Sequence, residues 1–430
     1  MSNPVTFSDT ENPAALTIRG VLQISSFRKL WLARAVSEFG DSLTNLGLLI
    51  LINRLTGSTA ALATMTIVLL LPNIVFGLVA GVYVDRLNRQ HIMIVSDLVR
   101  GIFVLGFMVV GSADQIWILY LIGLLQASIG TFFSPAQNAL IPNVVPEHGL
   151  IAANSLTQIS MIISITLGGA AAGVLAGTTG LIWPLFALDS LSFFVSVFLV
   201  TRIKLTSRDF SPKTESRKAS NFFQELSTGL KVNYQNRILR GTLIAAGVAL
   251  LGIGAVSVLS VPFLVNVLKS SETWLGPISL AGTAATILSG FVIGSLTKRF
   301  KPPFLISAGL VIFGAAVALT GFVNAPWQLI LFQFTIGWVL TPINVSIVTL
   351  NQTAVDDSLR GRVGSARAVI GSSAELLSMG FAGVFGDLIG IRQVFFIAAA
   401  LIILAGFASA FTFRVPASQK DSVSLSEGLK

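Results

Sequence analysis

Twelve hydrophobic runs follow one another along this chain, and each is long enough to cross a bilayer as a helix. Short polar or Gly/Pro-containing segments separate the runs, as loops separate membrane spans. We therefore predict an all-α membrane protein of twelve transmembrane helices in two pseudo-symmetric sets of six. The predicted spans are 27–53, 59–82, 92–111, 115–139, 151–176, 181–201, 239–265, 273–296, 304–323, 327–350, 363–387 and 391–413.

The composition supports this class and argues against several others. Hydrophobic residues make up 53% of the chain and charged residues only 11%, whereas a soluble domain holds about 25% charged residues. The sequence has no cysteine and only two histidines, His91 and His148, which excludes disulfides, thiolate metal sites and a histidine-rich metal centre. We therefore predict no cofactor, no metal and no enzymatic activity.

The distribution of basic residues predicts the orientation in the membrane. Lys and Arg crowd one set of helix ends, whereas the opposite set holds only Arg54, Lys269 and Arg392. The positive-inside rule then places both termini in the cytoplasm, for a multi-pass protein of the plasma membrane, which in a bacterium is the inner membrane. This distribution explains the net charge of +9 without any nucleic acid as a partner.

One long polar connection, residues 202–238, lies between the two sets of spans. Within it, Asn221–Val232 places apolar residues on one helical face beside basic flanks, which predicts a helix at the membrane surface. The predicted organisation is a cytoplasmic N-terminal segment (1–26), an N-terminal bundle (27–201), this linker (202–238), a C-terminal bundle (239–413) and a cytoplasmic tail (414–430).

The first span carries a stripe of charge. Arg34, Glu38, Asp41 and Asn45 fall within an arc of roughly 60° on a helix. Charges at that depth are costly in lipid, so the stripe is expected to face the protein interior or a water-filled path.

Within this stripe the residues have different expected roles. Arg34 and Glu38 are one turn apart and can pair, whereas Asp41 lies about 10 Å further along the axis, too far to share that cation. Burial favours the neutral form of the less well paired acid, so Asp41 is predicted to bind and release a coupling proton. The alternative is a static buried network that only fixes helix packing.

The loop after the second span carries the most specific motif. In GVYVDRLNRQ, Gly81 is followed after three residues by Asp85 and Arg86, and then by Arg89. The loop resembles the cytoplasmic signature of the major facilitator superfamily, although Asn88 and Gln90 stand where a glycine and a basic residue are common. In the second half, Gly294, Lys298 and Arg299 form a degenerate copy, as in a duplicated unit.

This resemblance covers the whole chain and implies a gate. Gly81 would let helices approach closely, and Asp85 would accept hydrogen bonds from a helix N-terminus in the other half. Arg86 and Arg89 would pair with acids or lipid phosphates. For Arg89, an ordinary positive-inside anchor is an equal alternative.

Two further resemblances concern export. The fifth span contains three glycines at four-residue spacing, Gly169, Gly173 and Gly177. This pattern resembles the glycine-rich motif of exporters, although the proline of that motif is missing. Plain helix packing is an equal alternative. The segments SEFGD, SDLVRG, FFSPAQNALIPNVV and LDSLSFF together resemble the branch of macrolide and siderophore exporters, with lysophospholipid transporters nearby. That branch implies outward movement of an amphiphilic compound coupled to proton entry.

Other polar residues lie within spans. Asp97 and Arg100 can pair at i, i+3, which favours a structural or gating role. Asp189 is expected to have a structural partner. Glu375, in the eleventh span, is predicted to serve in proton coupling or in binding a cationic substrate group, with a packing carboxyl as the alternative.

These observations predict a secondary transporter, acting as a monomer, that exports an amphiphilic small molecule by proton antiport with alternating access. Lipid translocation or solute uptake on the same fold is one alternative. A membrane sensor without transport activity is another, although a sensor has no need of costly intramembrane charges.

Overall fold

The computed structural model describes residues 16–204, 220–355 and 357–413. In this part of the chain, twelve helical spans are long and apolar enough to cross a membrane, which confirms the predicted fold class. The tail at 414–430, most of the segment at 1–26 and the first part of the linker lie outside the described residues.

The first half contains a short helix and six spans, the fourth of which is built from two consecutive helices. Its helices are α1 (Ile18–Gln23), α2 (Ser25–Thr56), α3 (Thr59–Arg86), α4 (Arg89–Leu105), α5 (Ile116–Gly130), α6 (Phe133–Val144), α7 (Leu150–Thr179) and α8 (Trp183–Thr201).

The second half contains a linker helix and six spans. Its helices are α9 (Ser220–Gln235), α10 (Arg237–Pro262), α11 (Leu275–Arg299), α12 (Pro302–Thr320), α13 (Pro326–Thr353), α14 (Asp357–Leu388) and α15 (Ile391–Thr412). A π-helical stretch, Phe263–Val267, continues α10.

The fourth span differs from its prediction. The sequence pattern predicts that this span ends at residue 139. In the structure α5 ends at Gly130, and after a short break the span continues as α6 from Phe133 to Val144. Pro135 lies in the first turn of α6, where its missing N–H costs no helical hydrogen bond.

The two halves pack in the same way. In the first half, α2 packs against α7 and α8, and in the second half α10 packs against α14 and α15. The helix that begins each half therefore contacts the fifth and sixth spans of that half, as expected for a duplicated six-helix unit.

The linker helix α9 is present where a helix was predicted, and it lies against the beginning of α14. The Asn233 side chain donates to the carbonyl oxygens of Gly229 and Val363, at 2.9 and 3.3 Å. A Cβ at Gly229 would collide with the backbone carbonyl of Arg362, so this glycine permits close contact between the two helices.

Among the described residues, the two halves share a buried apolar cluster toward one end of the bundle and have separate clusters at the other. The largest buried apolar cluster contains Leu48, Ile52 and Leu62 from the first half together with Leu259 and Phe263 from the second. We call this the closed end, where α2, α7 and α14 end.

At the opposite end, where α2, α4 and α14 begin, each half has its own apolar cluster. One holds Phe27, Met93 and Leu140 of the first half, and the other holds Leu239 and Val363 of the second half. We call this the open end, and both described termini lie at it.

Candidate functional site

The charged stripe of α2 faces the interior of the first half. The Arg34 side chain is buried, and its Nε lies 2.6 Å from Glu38 Oε1, so the predicted pair forms. Arg34 also donates to Gln137 Oε1 of α6 at 2.6 Å. Sequence reasoning did not single out Gln137, although it lies within the FFSPAQNALIPNVV segment.

Asp41, which the sequence analysis treats as the less well paired acid, has a cationic partner from another helix. Arg100 of α4 donates a hydrogen bond to Asp41 Oδ1, and its guanidinium also lies 3.7 Å from Asp97 Oδ1. The Arg100 guanidinium stacks over the Phe193 ring at 4.3 Å from its centroid. Helix geometry within α2 alone could not reveal this partner, because it comes from another helix.

One cation therefore lies between two acids of different exposure. The Asp41 side chain is 30% exposed and the Asp97 side chain 0%. Asp97 accepts a hydrogen bond from Ser196 of α8. Asp41 is thus the acid of this pair that solvent reaches.

Asp189, whose partner the sequence could not name, is fully buried between α8 and α2. Thr44 of α2 donates to it at 2.5 Å and Ser192 at 3.2 Å. Gly40 makes the close contact possible, since a Cβ there would collide with the side chains of Asp189 and Ser192. In the described part of the chain, no cation lies within ion-pair distance of Asp189.

The charges of this first-half cluster do not balance. It holds the two guanidinium groups of Arg34 and Arg100 and four carboxyl groups, those of Glu38, Asp41, Asp97 and Asp189. Full ionisation would leave two uncompensated negative charges inside the bundle, which is costly in a low-dielectric environment. Such a cluster is chemically suited to hold and exchange protons.

The predicted gating loop is described only in part. Gly81, Asp85 and Arg86 lie at the end of α3, and their side chains lie outside the described part of the chain. The described side chain of Arg89 donates to the carbonyl oxygen of Ala139 at 3.0 Å, so it binds the C-terminal half of α6.

A different acid joins the two halves at the closed end. Asp387, near the end of α14, accepts hydrogen bonds from Ser58 Oγ at 2.6 Å, from Thr59 N and Oγ1 at 2.8 Å each, and from Ala60 N at 3.1 Å. Its carboxylate therefore caps the N-terminus of α3, where the helix dipole favours an anion. Sequence reasoning missed this contact.

Two polar pairs accompany Asp387 at the closed end. The amides of Asn53 and Asn266 exchange hydrogen bonds of 3.2 and 3.0 Å. Arg54 Nε lies 3.0 Å from Glu272 Oε1. Each pair links the end of α2 to the second half.

The glycines of α7 pack against the second half. A Cβ at Gly173 would lie 2.9 Å from Leu275 Cβ and 3.0 Å from the Glu272 carbonyl oxygen, and Gly177 approaches Thr273 as closely. At Gly169 the nearest such atom is Ser42 Oγ at 3.4 Å. Two of the three predicted packing glycines thus permit the close approach of α7 to the start of α11.

Glu375 lies in the interior of α14 and is half-buried. In the described part of the chain, no group forms a hydrogen bond or ion pair with its carboxylate. It therefore differs from the acids of the first-half cluster, each of which has an arginine or hydroxyl partner.

Comparison with known proteins agrees with this architecture. The family model described as "Transmembrane secretion effector" matches residues 19–428. Macrolide efflux protein A of Streptococcus pyogenes is 25% identical over 391 residues, which cover 88% of this chain and 93% of that protein. The putative bacilysin exporter BacE of Bacillus subtilis is 33% identical over 153 residues, which cover 35% of this chain and 36% of that protein.

Solved structures share the fold at low identity. A mutant of the nucleoside transporter NupG matches with a TM-score of 0.74 and 14% identity, over 91% of this chain and 100% of that one. A bacterial homologue of the iron transporter ferroportin, in an inward-facing state, matches with a TM-score of 0.72 and 16% identity, over 92% and 100%.

Proposed function

Because this chain belongs to the major facilitator superfamily, in the family described as transmembrane secretion effectors, we propose that it exports an amphiphilic small molecule in exchange for protons. The relatives named as a macrolide efflux protein and a putative bacilysin exporter support outward transport. The observation that carries the proton-coupling part is the position of Arg100 between Asp41 and Asp97.

Asp41 is the proton-binding group in this proposal. When it is ionised, it holds Arg100 and so ties α2 to α4. When a proton neutralises it, Arg100 loses that partner and turns to the Asp97 carboxylate, which lies 3.7 Å away on its own helix. Proton binding then loosens the contact between α2 and α4.

This local change can reach the interface between the halves. The helix that carries Asp41 ends at the closed end, where Asn53 and Arg54 bind the second half. Arg34 and Glu38 lie one to two turns before Asp41 and fix the same helix to α6 through Gln137. A shift of α2 relative to α4 therefore changes the equilibrium between the conformation with the closed-end contacts formed and the conformation with these contacts broken.

The predicted orientation is consistent with the proposed outward direction of transport. With the termini in the cytoplasm, the open end faces the cytoplasm, so the bundle has the form that would accept a compound from inside the cell. Release of the compound outside would require the closed-end contacts to break. A proton that enters from outside and binds Asp41 would then favour the return of the protein to the conformation that is open to the cytoplasm.

The experiment measures transport in inverted membrane vesicles with and without a proton gradient, after a compound screen in efflux-deficient cells. We expect gradient-driven uptake into vesicles that Asp41→Asn abolishes, while Asp114→Asn, at an exposed loop acid, leaves it intact. If Asp41→Asn vesicles respond to the gradient as the unmodified protein does, the coupling role is wrong. Transport that ignores the gradient would remove the antiport proposal itself.

A further inference from the structure

We propose that Glu375 binds the cationic group of the exported compound, so that the preferred substrates are amphiphiles with an ammonium or comparable positive charge. This inference rests on the proposed export function and names its substrate class. Four features of α14 support it. They are the direction in which Glu375 faces, its position between the two halves, the small residues between it and the open end, and the lack of a counter-charge near it.

Glu375 lies on the side of α14 away from the lipid. Leu377, Val384 and Leu388 form an exposed apolar stripe, with Leu377 and Leu388 both 72% exposed. At about 100° per residue, Glu375 stands roughly 160° around the helix from Leu377. The carboxylate is thus directed toward the protein interior.

The neighbouring helices place this face in the gap between the halves. On one side of Glu375, about 60° around the helix, Ser378 donates a hydrogen bond to the Leu251 carbonyl oxygen of α10. On the other side, about 80° around, Gly383 packs against Ala63 of α3 in the first half. Glu375 therefore lies between a helix of its own half and a helix of the other half.

Small exposed residues lie between the open end and Glu375 on the face of its carboxylate. Gly361, Gly364 and Ala368 share the face of Glu375 within about 40° and are exposed. A Cβ built at Gly361 or Gly364 would have no atom of the described residues within 4 Å. Gly371, one turn before Glu375, is instead buried, and a Cβ there would lie 2.7 Å from Leu250 Cδ1 of α10. Space therefore remains along this face from Gly361 to Ala368.

Beyond Glu375 the same face is closed. Met379 is 4% exposed and Ala382 0%, and a Cβ at Gly386 would collide with Thr59 of α3. Glu375 thus lies between the exposed part of this face and the closed end. A ligand that enters from the open end would meet this acid before the barrier.

The surroundings suit an amphiphile with a positive charge. The charged residues of α10 and α3 lie only near the open end, at Arg237 and Arg240 in α10 and at Asp85 and Arg86 in α3, so neither helix provides a counter-charge at the level of Glu375. An unpaired carboxylate at this depth is costly, and a bound cation offsets that cost. On α3, Leu71 follows Ile67, the residue nearest Gly380, and offers an apolar surface for the rest of the compound.

Arg367 is the one charged residue of α14 between Gly364 and Glu375. It lies two turns toward the open end, about 12 Å along the axis and turned toward α10. It is too far to neutralise Glu375 by an ion pair, and it leaves the carboxylate available to a ligand.

The test measures dye binding to the full-length protein in lipid nanodiscs. The probes are the cationic dye rhodamine 6G and the uncharged dye Nile red. We expect Glu375→Gln to weaken rhodamine 6G binding about tenfold, with Nile red binding unchanged, and Glu375→Asp to retain most of the affinity for rhodamine 6G. Glu147→Gln, at an exposed acid, is the matched control and should change neither dye.

Equal rhodamine 6G affinity in Glu375→Gln and the unmodified protein would overturn the proposal, and so would an equal loss of both dyes. The export function fails separately. If neither dye is moved by a proton gradient in vesicles although Glu375 governs rhodamine 6G binding, the transport proposal falls and the binding site stands. If the proton gradient drives transport of both dyes equally and Glu375→Gln changes neither, the binding-site proposal falls and the transport proposal stands.

Discussion

Asp387, near the end of α14, accepts two hydrogen bonds of 2.8 Å from Thr59, one from its backbone N–H and one from its hydroxyl. Asp387 and Thr59 belong to different halves, so this carboxylate caps a helix of the opposite half. The loop resemblance implies a second contact between the halves, in which Asp85 at the end of α3 accepts hydrogen bonds from a helix N-terminus in the other half. The side chain of Asp85 lies outside the described part of the chain, so the Asp387 contact is the one of the two that the structure describes.

The first prediction concerns this cap. Asp387→Asn should destabilise the closed end, because it removes a charged acceptor of hydrogen bonds that are worth roughly 1.5–3 kcal/mol each to a charged group. The chain has no cysteine, so Met379→Cys, at a 4% exposed position of the closed end, reports its opening through maleimide labelling. We expect Asp387→Asn to accelerate this labelling about tenfold or more.

Asp114→Asn, which removes a carboxylate from an exposed loop, is the matched control. Labelling of the Met379→Cys position at the same rate with and without Asp387→Asn would mean that the Asp387 cap does not hold the closed end together.

The second prediction concerns Arg100. Arg100→Gln leaves both Asp41 and Asp97 without a cation, and removal of one partner of a buried pair costs about 3–5 kcal/mol. The double variant Arg100→Gln/Asp41→Asn should be more stable than Arg100→Gln alone, because it removes one of the two unpaired charges. Thermal unfolding in detergent of both single variants and the double variant measures this coupling. Strictly additive losses would show that Asp41 and Arg100 do not share an interaction energy.

How much of this site the sequence could predict depends on where the partners lie. Arg34 and Glu38 were paired correctly, because helix geometry fixes residues four positions apart. The Arg100 partner of Asp41 was missed, because it depends on how α2 and α4 pack, and no local rule gives that distance. The helices themselves were predicted well, since the length of an apolar run reports a membrane span directly.

The Asp387 contact shows the same limit at a helix end. A carboxylate one residue before the end of a span resembles an ordinary interfacial charge in the sequence. Only the packing of α14 beside α3 brings it to the four donors of Ser58, Thr59 and Ala60.

The third prediction uses the glycines of α7. Gly173→Ala should push α7 away from α11 and loosen the closed end, because the added Cβ would lie 2.9 Å from Leu275 Cβ. Gly169→Ala is the matched control, because its Cβ would meet only Ser42 Oγ at 3.4 Å. The measurement is labelling of Met379→Cys in each background. Equal labelling in the two variants would show that the interface absorbs the extra methyl group.

The fourth prediction follows from the excess of acids over cations in the first-half cluster. Asp189 has hydroxyl partners, Thr44 and Ser192, whereas Asp41 has Arg100. Loss of the Asp189 charge therefore takes no ion-pair partner from either guanidinium group of the cluster. We expect Asp189→Asn to retain gradient-driven transport with an unchanged pH profile, since the amide keeps the shape and the hydrogen-bonding capacity of the side chain.

Asp189→Leu is the contrasting variant. It leaves the hydroxyls of Thr44 and Ser192 without their acceptor between α2 and α8, at a cost of about 1–3 kcal/mol for each unsatisfied group. We expect it to lower the unfolding temperature, while Asp189→Asn leaves that temperature nearly unchanged. If Asp189→Asn instead abolishes the response to the proton gradient and Asp41→Asn does not, the exchangeable proton belongs to Asp189, and α8 rather than α4 is the helix whose tie to α2 the proton controls.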